Sequence, residues 1–90
     1  MNINDLTRHI EKWAMERKLH QADPDKQILK LGEEFRELCQ GKAKNKYGQV
    51  VGSIGDMYVV LTILALQLGL NIEEWYPSLT TKSKTEKEKW

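Results

Sequence analysis

Four stretches of this 90-residue chain carry apolar residues at helical spacing. In the first, from about Asn4 to Lys18, Leu6, Ile10, Trp13 and Ala14 fall at offsets of four, seven and eight, which is one face of a helix. Arg8, Glu11, Arg17 and Lys18 largely avoid that face. A connector, His20 to Asp23, leads to a start signal, Asp23-Pro24. The aspartate can cap free amides, and proline suits the first helical position. In the second stretch Ile28, Leu31, Phe35 and Leu38 recur at three or four residues, with Phe35 and Leu38 expected to face the core. This helix is expected to end near Gly41, and the basic Lys42 to Lys46 segment reads as a solvated turn.

The third stretch, about Tyr47 to Leu68, has a wide apolar stripe of Val50, Val51, Ile54, Met57, Tyr58, Leu61, Leu64, Ala65 and Leu68. A stripe this wide implies contact on more than one side. Its β-branched run hints at a strand, but its length and its spacing by threes and fours favour a helix. Gly69 is placed as the stop. Asn71 and Glu74 resemble a capping box for a short fourth helix that Pro77 limits. Lys82 to Trp90 holds four lysines and two glutamates without an apolar repeat. The expected fold is all-α, an antiparallel bundle of about four helices, with one domain over 1–78 and a polar tail over 79–90.

Composition narrows the function. Hydrophobic residues at 40% and charged residues at 30% suit a folded globular domain. So short a chain forms a modest core, which makes burial against a second copy an expectation. A net charge of +1 provides no basic field for stable nucleic-acid binding. The one cysteine, Cys39, forms no internal disulfide and is expected to pack. The N-terminus carries no signal-peptide pattern. The longest apolar stretch, Met57 to Leu70, reads as too short and too mixed to span a bilayer. A cytoplasmic location and no membrane follow as expectations. His9 and His20 lack zinc-type spacing, and no glycine-rich phosphate loop is present. The tryptophans read as core or interface residues, with Trp13 or Trp75 able to border a nucleotide pocket.

Candidate chemistry lies in the carboxylates. Glu34 and Glu37 share one side of the second helix, and Lys30 and Gln27 extend that side. Asp56 is the only acid of the third helix, within an apolar run where a lone ionised carboxylate is costly to bury. Ser53 lies one turn earlier on the same side, and Gly55 allows a close approach. If the two helices pair as an antiparallel hairpin, Glu34, Glu37 and Asp56 can converge. Their repulsion raises pKa values unless a cation is present, and hard oxygen ligands suit Mg²⁺. A metal-bound water near a phosphoryl group is an arrangement for hydrolysis. The plainer reading is a solvated acidic face, with Glu33 and Glu37 paired to Arg36, Lys30 or solvent.

Lys30-Leu31-x-Glu33-Glu34-x-x-Glu37-Leu38, followed by Ile54-Gly55-Asp56-x-x-Val59-Val60-Leu61, resembles the MazG-like family of all-α nucleotide pyrophosphohydrolases. That family is marked by Glu-x-x-Glu, a spacer and Glu-x-x-Asp. Here the elements are Glu34-x-x-Glu37 and Ser53-x-x-Asp56. Trp13, Arg17 and the stretch from Asp23-Pro24 to Gln27 also look similar to small phage-type members. The resemblance covers about residues 4 to 72. It implies cleavage of nucleoside triphosphates to monophosphate and pyrophosphate with Mg²⁺, or Mn²⁺ as an alternative ion, by a homodimer or homotetramer. It further implies Glu34, Glu37 and Asp56 as metal ligands, with Glu33 and Glu34 as catalytic residues and Glu33 orienting water. Lys30, Gln27 and Trp13 are the candidates for holding substrate. Two features depart from the family: Ser53 replaces a metal-binding glutamate, and Trp75-Tyr76-Pro77-Ser78 interrupts the C-terminal helix. Lys82 and Lys84 can substitute for the basic residues expected there. Three functions therefore stand together: the hydrolase, a catalytically impaired nucleotide- or metal-binding homologue, and a helical interaction protein.

Overall fold

The computed structural model describes residues 1–70, and every regular element among them is helical. The helices are α1 (Ile3–Glu16), α2 (Pro24–Ala43) and α3 (Tyr47–Gln67), with a 3₁₀ turn at Leu19–Gln21. Three α-helices stand where about four were expected. The expected fourth helix from Asn71, its Pro77 limit, Trp75, Lys82, Lys84 and the polar tail lie outside the described residues.

Local chemistry explains the boundaries. The Asn2 side chain accepts a bond from the Asp5 amide at 2.9 Å and starts α1. Lys18 takes a left-handed conformation, φ 58°, so the helix ends at Glu16 rather than Lys18. Asp23 accepts from the Asp25 amide at 3.0 Å, with Pro24 in the first turn, as the dipeptide predicts. α2 then continues past Gly41 to Ala43. The helix thus ends near Gly41, as expected, with that glycine inside its last turn. A Cβ there would lie 3.1 Å from Gln49 Cγ and 3.3 Å from the Val50 nitrogen, so glycine eases the close approach of the helices. Asn45, φ 54°, helps reverse the chain. Gly69 does terminate α3: its φ is 70°, and Leu70 N–H donates to Ala65 O at 2.8 Å, closing the last turn.

α2 and α3 form an antiparallel hairpin. Bonds between them join Gln49 to Glu37 near the turn and Gln27 to Val60 far from it. α1 packs on another side of α3. Ile10, Ala14 and Ile63 are buried there, with Leu19, Tyr58, Val59 and Leu66 around them. Thr7 Oγ donates to Ile3 O at 2.9 Å, so its lone pair is left to accept from the Tyr58 hydroxyl. Gln67 Nε2 donates to Leu19 O at 2.9 Å and ties the connector to the end of α3.

Several expected core positions are open. Ile10 and Ala14 are buried, but Leu6 and Trp13 are exposed. Phe35, expected in the core, is 54% exposed. Cys39, expected to pack, is exposed as well. No residue of the expected α3 stripe is fully buried, and Val51, Ile54, Leu61 and Leu68 are exposed; the buried residues of α3 are Ser53, Val60, Thr62 and Ile63, which lie outside that stripe. Two neighbouring helices cover only part of each helix circumference, and these residues lie on the remainder. α3 is also longer than the apolar stretch considered above. Its 21 residues are, by length and composition alone, sufficient to cross a membrane.

The tie between α1 and α3 gives a stability test. Tyr58→Phe removes the donor and should lower unfolding stability by about 0.5–1.5 kcal/mol. Urea denaturation followed by circular dichroism measures it, and an unchanged midpoint would mean that this bond does not anchor α1.

Candidate functional site

The hairpin opposes two lines of residues. On α2, Gln27, Lys30, Glu34, Glu37 and Gly41 follow one another at threes and fours; on α3, Gln49, Ser53, Asp56 and Val60 do the same. Gln27 Nε2 reaches Val60 O at 3.5 Å, the outer limit of a hydrogen bond, and Gln49 Nε2 donates to Glu37 O at 2.9 Å. Between these ends Glu34 faces Asp56.

The electrostatics report that meeting. The Glu34 carboxyl is held above its ordinary value of 4.5. Loss of water around it is the largest cause, followed by the charges of Glu37 and Asp56. Lys30 pulls in the opposite direction, and a hydrogen bond to Asp56 favours the protonated form. Glu34 Oε2 is buried without a hydrogen-bond partner. An orphaned acceptor amid like charges suits a proton or a cation.

Glu37, Asp56 and Lys30 thus all act on Glu34. Asp56 itself is exposed, so the cost of burying a lone carboxylate in the apolar run of α3 is avoided. Solvent offsets its charge. Ser53 is the buried member of the pair, at 3% exposure. Glu33 is exposed. Gln27 directs its amide to the α3 backbone. Trp13 stands on α1, 41% exposed, with the Arg17 guanidinium 4.3 Å above its ring. Arg17 was legible as a neighbour of Trp13 from the four-residue spacing alone. Gln49 escaped notice because a glutamine near a turn has no distinctive pattern. Its signal was its place in line with Ser53 and Asp56.

Among the described residues, no group of three or more His, Cys, Asp and Glu side chains is arranged to hold a metal ion as it stands. The donor chemistry nevertheless fits a hard divalent cation: carboxylate oxygens, one of them buried and unpartnered, with solvent beside Asp56. Mg²⁺ commonly takes only one or two carboxylates, with water and phosphate completing its shell.

No protein-family model matches the chain, and no solved structure does. Among curated proteins it is 49% identical over 67 residues to an uncharacterized 18.2 kDa protein in the rep-hol intergenic region of Haemophilus phage HP1. That match covers 73% of this chain and 41% of the phage protein. It is also 29% identical over 82 residues to the histidine biosynthesis bifunctional protein HisIE of Lactococcus lactis, covering 79% of this chain and 39% of that one. The HisIE of Thermoanaerobacter pseudethanolicus is 30% identical over 74 residues, covering 82% and 34%. The chain thus spans about two fifths or less of the length of these relatives.

The Glu34 environment predicts a pH dependence. A carboxyl whose folded-state pKa lies above its unfolded value binds more protons when folded. Its contribution is therefore favourable in acid and is lost as pH rises from about 4.5 through the raised value. Without divalent cations, Tm should fall across that window, and Glu34→Gln should flatten the fall. Parallel pH profiles for the two proteins would show that Glu34 carries no such linkage.

Proposed function

We propose that this chain is a Mg²⁺-dependent nucleoside triphosphate pyrophosphohydrolase. The observation that carries the reading is the confrontation of Glu34 with Asp56, beside Glu37, with Glu34 Oε2 buried and unpartnered. The motif resemblance and the distant similarity to HisIE, which includes a pyrophosphohydrolase domain, point the same way.

Glu34, Glu37 and Asp56 would hold the ion, with Mn²⁺ as an alternative. When bound, it neutralises the carboxylates and the triphosphate and polarises the phosphoryl group. In the reaction, a water oxygen bonds to the α-phosphorus while the bond from that phosphorus to the bridging oxygen breaks. Pyrophosphate leaves, and the water proton passes to Glu33 or Glu34. Exposed Glu33 is free to orient that water. Lys30 faces the same cluster and is suited to the substrate phosphates. Gln27 and Trp13 complete the proposed substrate contacts. Trp13 belongs to α1, so its contact depends on how the nucleotide reaches beyond the hairpin.

The buried Ser53 favours a second reading, a homologue that binds nucleotide or metal but turns over slowly. A hydroxyl there brings no charge to the cluster. Pyrophosphate release from a panel of triphosphates, with and without Mg²⁺, tests the first reading. Glu34→Gln, Glu37→Gln and Asp56→Asn should each abolish it. Ser53→Glu should raise turnover if the missing acid limits the rate. Nucleotide binding without release of pyrophosphate, even in Ser53→Glu, would establish the second reading instead.

The reading includes a homodimer or homotetramer working in the cytoplasm, free of membrane and nucleic acid. The domain extends to about residue 78, with 79–90 as a polar tail. Ile28, Gly32, Phe35 and Cys39 share one face of α2; Tyr47, Val51, Ile54 and Leu61 share one face of α3. The large apolar residues of both faces are exposed in the single chain, Ile54 at 56%. A second copy would cover these apolar faces and remove them from water, which is the source of association free energy. Sedimentation should show a dimer or larger species. Cys39 should react slowly with a thiol reagent at assembling concentrations and rapidly on dilution. A monomer with a uniformly reactive Cys39 would refute the assembly.

A further inference from the structure

The acidic line between α2 and α3 works against its own geometry. Glu34, Glu37 and Asp56 repel, and sliding one helix past the other by a turn, about 5.4 Å, would relieve them. Apolar packing alone resists such sliding weakly, because a shift of one turn presents a similar face. A directional contact is needed to hold the register.

Gln49 makes such a contact. Its Nε2 donates to the backbone oxygen of Glu37 at 2.9 Å, across the hairpin. In a helix that oxygen already accepts from the amide four residues on, which is Gly41. A carbonyl oxygen has two lone pairs, so Gln49 can occupy the second. The approach passes Gly41. A side chain there would meet Gln49 Cγ at 3.1 Å and Cβ at 3.2 Å. Glycine leaves a notch that receives the glutamine stem. The Gly41 oxygen in turn accepts from Lys46 N–H at 2.8 Å and closes the turn. Gln49, Ser53 and Asp56 lie on one line of α3, so fixing Gln49 against Glu37 fixes which residue of α2 Asp56 meets.

We infer that Gln49, seated in the Gly41 notch and bonded to the Glu37 backbone, is a positioning residue that sets the hairpin register and so holds Glu34 and Glu37 opposite Asp56. Its functional side rests on the pyrophosphohydrolase reading; its structural side does not.

The test separates the two. Gln49→Met keeps the length and apolar stem but removes the donor. Gly41→Ala narrows the notch. Tyr58→Phe, remote from the notch, is the control for lost stability. Wild type should show nuclear Overhauser contacts from Gln49 to Gly41 and from Gln27 to Val60. It should also bind Mn²⁺, read by electron paramagnetic resonance. Both hairpin variants should keep their helix content, lose or shift those contacts, and bind Mn²⁺ about tenfold or more weakly, the scale for losing a partner that orients a ligand. Tyr58→Phe should keep the contacts and the affinity whatever its loss of Tm. Unchanged cross-hairpin contacts in both hairpin variants would overturn the inference. So would a loss of affinity no larger than in Tyr58→Phe at the same loss of Tm. If wild type binds no Mn²⁺, the functional reading has failed, and the cross-hairpin contacts alone decide whether Gln49 sets the register.

Discussion

The antiparallel contact between α2 and α3 is the constraint on which the rest depends. It brings Asp56 of α3 beside Glu34 of α2, where the charges of Glu37 and Asp56 make the ionisation of Glu34 less favourable. Charge does not draw these helices together. Apolar packing, a short turn and the amides of Gln27 and Gln49 do. The packing free energy of the hairpin is partly spent on holding like charges close, as expected where a cation or a proton is to be taken up.

Much of this was legible in the residues. Asp23-Pro24 marked the start of α2, and Gly69 marked the end of α3, because each acts through local backbone chemistry. The spacing of Glu34 and Glu37, and the single acid of α3, were enough to anticipate their meeting once a hairpin was assumed. Gly41 was harder. Glycine stops many helices, but this one lies within α2 because Gln49 occupies the space its side chain would take. Whether a glycine ends a helix or admits a neighbour depends on contacts distant in sequence, which periodicity does not reveal. Asp56 shows the same limit. An apolar run suggested a buried helix, yet the residue lies on the part of α3 that water reaches.

Phe35 and Cys39 depart from expectation for a related reason. Apolar spacing identifies a face that avoids water, not the element that covers it. With α1 placed on α3, and α2 touching α3 along one line, the face of α2 bearing Ile28, Phe35 and Cys39 has no neighbour within the described chain. The core around Ile10, Ala14 and Ile63 is correspondingly small. A chain of this length buries a limited share of its surface by itself. The apolar stripe on α3 is likewise wider than the contact that α1 and α2 supply.

Ser53 connects this packing to the chemistry. It occupies the same line as Asp56 but is buried, while Asp56 is open to water. A small neutral side chain lets α3 approach α2 closely at that level. A glutamate there would supply a fourth carboxylate, but it would have to direct a longer, charged group out of a tightly covered position or leave it poorly hydrated. Close helix contact and a full acidic set thus compete at one position. In this chain the contact prevails, leaving the charge to Glu34, Glu37 and Asp56.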